Sequence, residues 1–396
     1  MSTDAASIKA WFGLQRPNYI LDPIKDVGWY APRSGIDIPS MVEELRISLV
    51  TERPPKKLFW GLYGGGKTHT LMAVTHELES IMAIRPVYVE CPNVTKKSTF
   101  LELYHDGVLA ALGQTLVLSL FERTVDQCFT EAARAKGPRD REALLEKLNS
   151  ALGDEELARA VASLLQPADN RRLHFWRYIS GVSVPSRELV ELGVTEDLTQ
   201  AEPSKLAQMI VVIGRVARSV EGKTLTLILD ELDRLRWVGE EAASTFENAF
   251  RKLLDPNQKD IGVLMGCSAS AIKELPLVFG QGDKERGPVL SRMNSTDLIP
   301  VNPLDPADIK QFIAKLVGFV RDPAADAEAA LRRAQDATKE HLSGTYFPFS
   351  DEAIDALESS LRQSMTPREL TLRMTHAVGR AFLNQALFVG RDSIAA

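Results

Sequence analysis

Short apolar runs alternate with longer stretches of helical spacing along this chain. Leu58, Phe59 and Trp60 follow two lysines and precede a cluster of glycines, which predicts a buried strand running into a tight loop. A helix is predicted over 67–80. Further apolar runs predict strands at 86–91, 225–230 and 262–267, and a fifth at 297–301, where Pro300 points to a sheet edge. Strands separated by helical stretches imply an α/β fold with a parallel five-stranded sheet covered on both faces. In this reading strands 58–60 and 225–230 are neighbours, and 86–91 lies toward one edge.

The remaining pattern is mostly helical. Residues 1–39, rich in Pro, Gly and aromatics, read as an irregular packed arm. Ser40 is placed to cap a helix over 41–50, with Met41, Leu45 and Leu49 on one face. Residues 92–224 far exceed what one crossover needs. They read as a helical insertion, with helices at 108–134, 139–165, 170–180 and 201–219. From Asp305 onward helices are predicted at 306–320, 324–341, 351–363 and 367–389, an all-helical C-terminal region.

Composition narrows the class. The chain has 396 residues, enough for two or three domains, with 44% hydrophobic and 25% charged residues. That excludes a mainly disordered chain. The net charge of −6 excludes a wholly basic nucleic-acid coat, though not a local basic face. Cys91, Cys128 and Cys267 are far apart and form no CxxC, so neither a zinc site nor a disulfide framework is expected. No secretory signal and no apolar run near the length of a membrane span is seen, so a cytoplasmic protein without membrane partners is expected.

Two motifs carry chemistry. Residues 61–68, Gly-Leu-Tyr-Gly-Gly-Gly-Lys-Thr, fit GxxxxGK[ST] without departure. Gly61, Gly64, Gly65 and Gly66 let the backbone turn its N–H groups inward as an anion cradle, and the following helix points its N-terminus at the same place. Lys67 is the residue expected to reach the β- and γ-phosphates of ATP, and Thr68 to offer its hydroxyl to Mg²⁺. His69, next on that helix, is included among the nucleotide-binding candidates, with local packing as its other reading. The second motif is a buried strand ending in Asp230 and Glu231. Asp230 is expected to hold Mg²⁺ and Glu231 to polarise the attacking water.

At these residues the chain resembles the AAA+ ATPases. The resemblance rests on GLYGGGKT at 61–68, LILDELDRL at 227–235, the strand ending Cys267-Ser268, LSRM at 290–293 and TPREL at 366–370. The wording DELDRL and the opening WFGLQRPN look most like the origin-initiator branch and its bacterial relatives, which include transposition regulators. HFWRYISG at 174–181 and ELVELGV at 188–194 look like the ATP-binding proteins of bacterial BREX-type phage-defence operons.

The resemblance implies a P-loop core over 51–303 interrupted by the insertion at about 92–224, an arm and first helix over 1–50, and a helical lid over 304–396. It implies roles for further residues. Ser268, with Ser270 as rival, would orient the water or contact the γ-phosphate. Arg292, with Arg286 as rival, would reach a neighbouring subunit's ATP. Arg368 would touch ATP from the lid, and Pro17 to Ile20 would lie near the adenine. Catalytic candidates are thus Glu231, Lys67, Ser268 and Arg292.

The implied activity is Mg²⁺-dependent hydrolysis of ATP, coupled to self-assembly into a ring or filament. It would drive loading on DNA through backbone phosphates, or activation of a nuclease, helicase or transposase partner, in defence or mobile-element biology. A signalling switch that senses an invader and a non-hydrolysing ATP-bound scaffold are the alternatives. The tail 361–396 carries five arginines against Glu369 and Asp392, so Arg373 and Arg380 suggest a basic face for DNA or an acidic partner. Initiators usually carry a winged-helix domain after the lid. This chain stops where the lid should stop, which weakens any expectation of sequence-specific DNA reading.

Overall fold

The computed structural model describes residues 5–26, 29–31, 35–136, 141–165, 169–279, 287, 289–321, 326–360 and 365–395. Two compact units result. One comprises residues 1–41, 61–76 and 300–396, and the other residues 42–60 and 77–299. The glycine-rich loop and the start of its helix therefore group with the C-terminal helices.

The second unit holds nearly all of the sheet, except Gly61 and Pro300. The strands are β1 (Lys56–Gly61), β2 (Ile84–Glu90), β3 (Thr224–Asp230), β4 (Ile261–Ser268) and β5 (Leu298–Pro300), in the order β2-β3-β4-β1-β5. β2 pairs parallel to β3 with Glu90 opposite Asp230, and β3 pairs parallel to β4 with Leu225 opposite Ile261. The expected edges hold: β2 and the short β5 are outermost. The expected neighbours do not, because β4 lies between β1 and β3. β4 is buried at every position but its last, so it can only be a central strand. An apolar run reports that a strand is covered on both faces and says nothing of which strands flank it.

Residues 92–224 share one continuous hydrophobic cluster with the sheet, from Leu58, Val87 and Leu227 to Phe121, Leu148 and Tyr178. Their helices are shorter and more numerous than the spacing suggested. The stretch predicted as 108–134 begins within a wide-turn segment, Leu103–Leu109, and breaks at Gly113 before the Gln114–Lys136 helix. The stretch predicted as 139–165 parts into Arg141–Leu152 and Glu155–Ala162, where the Asp154 carboxylate accepts the Leu157 N–H at 2.8 Å as an N-cap. Asp169–Ile179 and Pro203–Glu221 lie where expected, and Ser186–Leu192 is an added helix. Ser40 is not a cap. The helix runs Ile38–Val50, and Asp37 accepts from the Ser40 N–H and hydroxyl.

The first unit has its own core, formed by Phe12, Tyr19, Ile313, Leu316, Met374, Val378 and their neighbours. The arm is not wholly irregular, since Ala5–Phe12 is helical. The C-terminal helices are Pro306–Val320, Asp326–Thr338, Asp351–Ser359, Pro367–Leu383 and Arg391–Ala395. Leu370, Met374, Ala377, Ala381 and Phe382 form the buried stripe of the Pro367–Leu383 helix, as their spacing predicts. No single described helix is long and apolar enough to cross a membrane.

Candidate nucleotide site

The glycine-rich loop belongs to the first unit. Gly61 closes β1, and a Cβ there would stand 2.2 Å from the Val301 carbonyl oxygen, so no larger residue fits without moving backbone. Gly64 and Gly66 take φ of 74° and 88°, which side chains with a Cβ rarely adopt. The Gly65 N–H donates to Leu62 O at 3.0 Å, closing the turn. The helix starts at Lys67. The Lys67 side chain is buried, and its ammonium donates to the carbonyls of Gly61 (3.1 Å) and Leu62 (2.9 Å). Thr68 is half-buried on the first turn. Crowded glycines, positive φ angles, a buried ammonium and a helix N-terminus together suit a polyphosphate.

His69 turns away from this task. Its Nε2 meets the Trp29 carbonyl oxygen at 2.5 Å, and its ring lies 5.5 Å from the Trp29 indole. Its side chain holds the N-terminal arm, the packing reading. Tyr19, in the segment expected near adenine, is wholly buried against Phe349, and its N–H donates to Thr375 Oγ1 at 3.0 Å.

Arg368 does come to the loop. Thr366 caps the Pro367–Leu383 helix by accepting from the Glu369 N–H, and Pro367 occupies its first turn. Arg368 then sits beside Gly64. Its Nη1 donates to the Tyr63 hydroxyl at 2.7 Å, and its guanidinium carbon lies 5.1 Å from the Tyr63 ring centroid. Tyr63 is a participant the motif reading passed over, because any residue satisfies that position of GxxxxGK[ST]. Arg373, one of the two arginines suggesting a basic face, pairs with Glu369 at 2.9 Å and donates to Ser360.

The acidic strand end belongs to the second unit. Asp230 is only 2% exposed; Oδ2 accepts from the Tyr88 hydroxyl at 3.3 Å and Oδ1 from the Glu231 N–H at 2.8 Å. Burial, and then the Asp230 charge, push the Tyr88 phenol well above its ordinary range, so it remains a donor. Glu231 has φ 55°, a left-handed backbone that is costly for a residue with a Cβ. Its carboxyl is raised above the ordinary value mainly by burial. Arg234 opposes that shift, and Glu90, Asp230 and Asp233 add to it. Arg234 reaches three acceptors: Glu231, the Cys91 carbonyl, and Glu90 at 2.6 Å. The buried Asp230 carboxylate and the neighbouring Glu231 carboxylate place acceptor oxygens side by side at this strand end, and among the described residues no group of three or more His, Cys, Asp or Glu side chains is placed to hold a metal ion. Tyr88, Glu90 and Arg234 were not legible, because their relation to this end depends on β2 lying beside β3.

Ser268 ends β4. Its N–H donates to Asp233 Oδ1 at 3.0 Å and its carbonyl accepts from Arg236. No hydrogen bond of its hydroxyl is found among the described residues. Its rival Ser270 is engaged, by both N–H and hydroxyl, with Glu274. Arg292 ends the Leu290–Arg292 turn and pairs with Asp255 of its own chain at 3.6 Å. Arg286 lies outside the described residues. The three cysteines are buried and none is in a disulfide, and burial pushes the Cys91 thiol up to about 12.

No protein-family model matches the chain, and no curated protein matches it. Among solved structures it is similar to the Walker-type ATPase of Pyrococcus abyssi, at 14% identity and a TM-score of 0.34. The match covers 93% of this chain and 77% of that one.

Proposed function

We propose that this protein is a Mg²⁺-dependent ATPase of AAA+ type. The observation that carries the reading is the loop at Gly61–Thr68. Gly61 and Gly65 leave no room for a Cβ, Gly64 and Gly66 take positive φ, the lysine ammonium is buried against the loop carbonyls, and a helix begins at the loop's end. Backbone N–H groups of the loop other than that of Gly65, together with Lys67, would take the phosphates, and Arg368 would add a cation from the C-terminal helices. On the motif resemblance, Thr68 of the first unit and Asp230 of the second are each proposed as Mg²⁺ ligands, an ion that when bound neutralises phosphate charge. Glu231 would orient and deprotonate the attacking water.

In this reading hydrolysis is coupled to self-assembly and to DNA or a partner protein, in bacterial defence or mobile-element biology. Arg292 would then exchange Asp255 for a neighbour's ATP, supplying positive charge where it develops on the γ-phosphoryl oxygens. The test is phosphate release by the purified chain with Mg²⁺-ATP, with and without DNA, alongside Lys67→Ala and Glu231→Gln. Turnover lost in both variants, with nucleotide binding kept only by Glu231→Gln, supports the reading. Turnover unaffected by Lys67→Ala overturns it. A strictly monomeric particle with a slowly hydrolysed ATP analogue, both with and without DNA, overturns the role of Arg292.

A further inference from the structure

Arg368 is an arginine with no carboxylate partner among the described residues. Its neighbours are neutral: the Tyr63 phenol oxygen at 2.7 Å, the Tyr63 ring, and the Gly64 carbonyl, which accepts its backbone N–H at 3.4 Å. Gly64 lies so close that a Cβ there would stand 3.1 Å from the Arg368 Cβ. Tyr63 itself is 70% exposed, so the core does not fix its ring.

Its pairing with Arg368 is therefore the notable contact of a residue that has no packing duty. A carboxylate in that place would neutralise the guanidinium and repel phosphate. A tyrosine restrains the cation through its π face and one hydrogen bond and leaves its charge intact. A guanidinium has five N–H donors, of which Tyr63 engages one.

We infer that Tyr63 is a positioning residue that holds Arg368 beside the phosphate loop as an uncompensated cation, and so sets the preference of the site for a nucleoside triphosphate over a diphosphate. The inference rests on the proposed nucleotide binding at Gly61–Thr68. The physical basis is preorganisation: a long side chain held in place loses less freedom when a phosphate arrives. The preference is for the longer polyphosphate because Arg368 adds a second cation to the charge of Lys67, and the more negative triphosphate gains more from it.

The test measures affinity of the full chain for Mg²⁺-AMP-PNP and for Mg²⁺-ADP, by calorimetry, in the wild type, Tyr63→Phe, Tyr63→Ala and Arg368→Ala. Thermal melts check folding, which the exposure of Tyr63 should preserve. Tyr63→Ala is expected to weaken AMP-PNP binding about 10-fold and ADP binding less than about two-fold. Tyr63→Phe, which keeps the ring and loses the hydrogen bond, should fall between, and Arg368→Ala should match or exceed Tyr63→Ala. An unchanged ratio of the two affinities in both Tyr63 variants overturns the inference, and so does an equal loss for both nucleotides. A wild type that binds neither nucleotide overturns the nucleotide-site reading itself, a distinct outcome.

Discussion

The hydroxyl of Tyr88 donates to the carboxylate of Asp230 at 3.3 Å, from one parallel strand to the next. This hydrogen bond orients a carboxylate that is almost wholly buried and would otherwise have few partners. Partners behind a metal-binding carboxylate commonly govern metal affinity rather than substrate affinity. Tyr88→Phe is therefore expected to raise the Mg²⁺ concentration for half-maximal turnover about 10-fold. Metal-free nucleotide binding should stay as it is. A Mg²⁺ titration of phosphate release reads this directly, and an unshifted midpoint would separate Tyr88 from the Mg²⁺ role proposed for Asp230.

Glu231 and Arg234 make a second coupled pair. Removing Arg234 takes away the charge that opposes the burial-driven rise of the Glu231 carboxyl. In the role proposed for Glu231 the working form is the deprotonated one, so turnover would fall as pH drops through its raised pKa. Arg234→Gln should therefore move the acid limb of the pH–rate profile to higher pH. Glu231→Gln should lower turnover by about 10²–10⁴-fold while nucleotide binding persists. An acid limb that stays in place in Arg234→Gln would show that another group titrates there.

The loop also makes a stability prediction that needs no activity. Gly61→Ala drives a Cβ to 2.2 Å from the Val301 carbonyl oxygen, a backbone atom that cannot swing aside. Overpacking of this kind typically costs about 1–3 kcal/mol. A lowered melting temperature together with lost nucleotide binding is expected. Lys67→Ala, by contrast, should lose nucleotide binding with little change in the melt. A Gly61→Ala protein that melts like the wild type would mean that the strand end yields more easily than its contacts suggest.

The loop was legible in the sequence because its chemistry is local: glycines, lysine and threonine act at fixed spacing along eight residues. The strands were legible because each is an apolar run. Strand order was not, since Leu58–Trp60 and Ile261–Cys267 are equally apolar and only pairing distinguishes a neighbour from a next neighbour. The contact of Tyr63 with Arg368 spans 305 residues, and nothing in the composition of either segment announces it. Arg234 looked like part of the DELDRL wording, yet two of its acceptors, Glu90 and the Cys91 carbonyl, come from the end of β2. The helix breaks at Gly113 and Gly153 were passed over because the apolar spacing continues across them.

The helices of 92–224 offer a final prediction, centred on Glu156. Its carboxylate accepts from the Thr195 N–H at 3.0 Å, the Thr195 hydroxyl at 2.8 Å and the Lys205 ammonium at 2.9 Å, tying the Glu155–Ala162 and Pro203–Glu221 helices to the turn between them. Burial pushes this carboxyl up, but the bonds from Thr195 and Lys205 outweigh it and hold the pKa at about 2, below the ordinary 4.5. A carboxyl depressed in the folded state stabilises the fold above its unfolded pKa. That contribution is lost as pH falls from about 4.5 toward 2. Glu156→Gln keeps the shape and removes the charge, so it should cost about 1–2 kcal/mol at neutral pH, allowing for partial exposure of the Lys205 partner. The gap between wild type and variant should close on acidification. Urea unfolding of both proteins at neutral pH and at about pH 3 measures it. A gap of the same size at both values would show that the Glu156 charge is not what joins these helices.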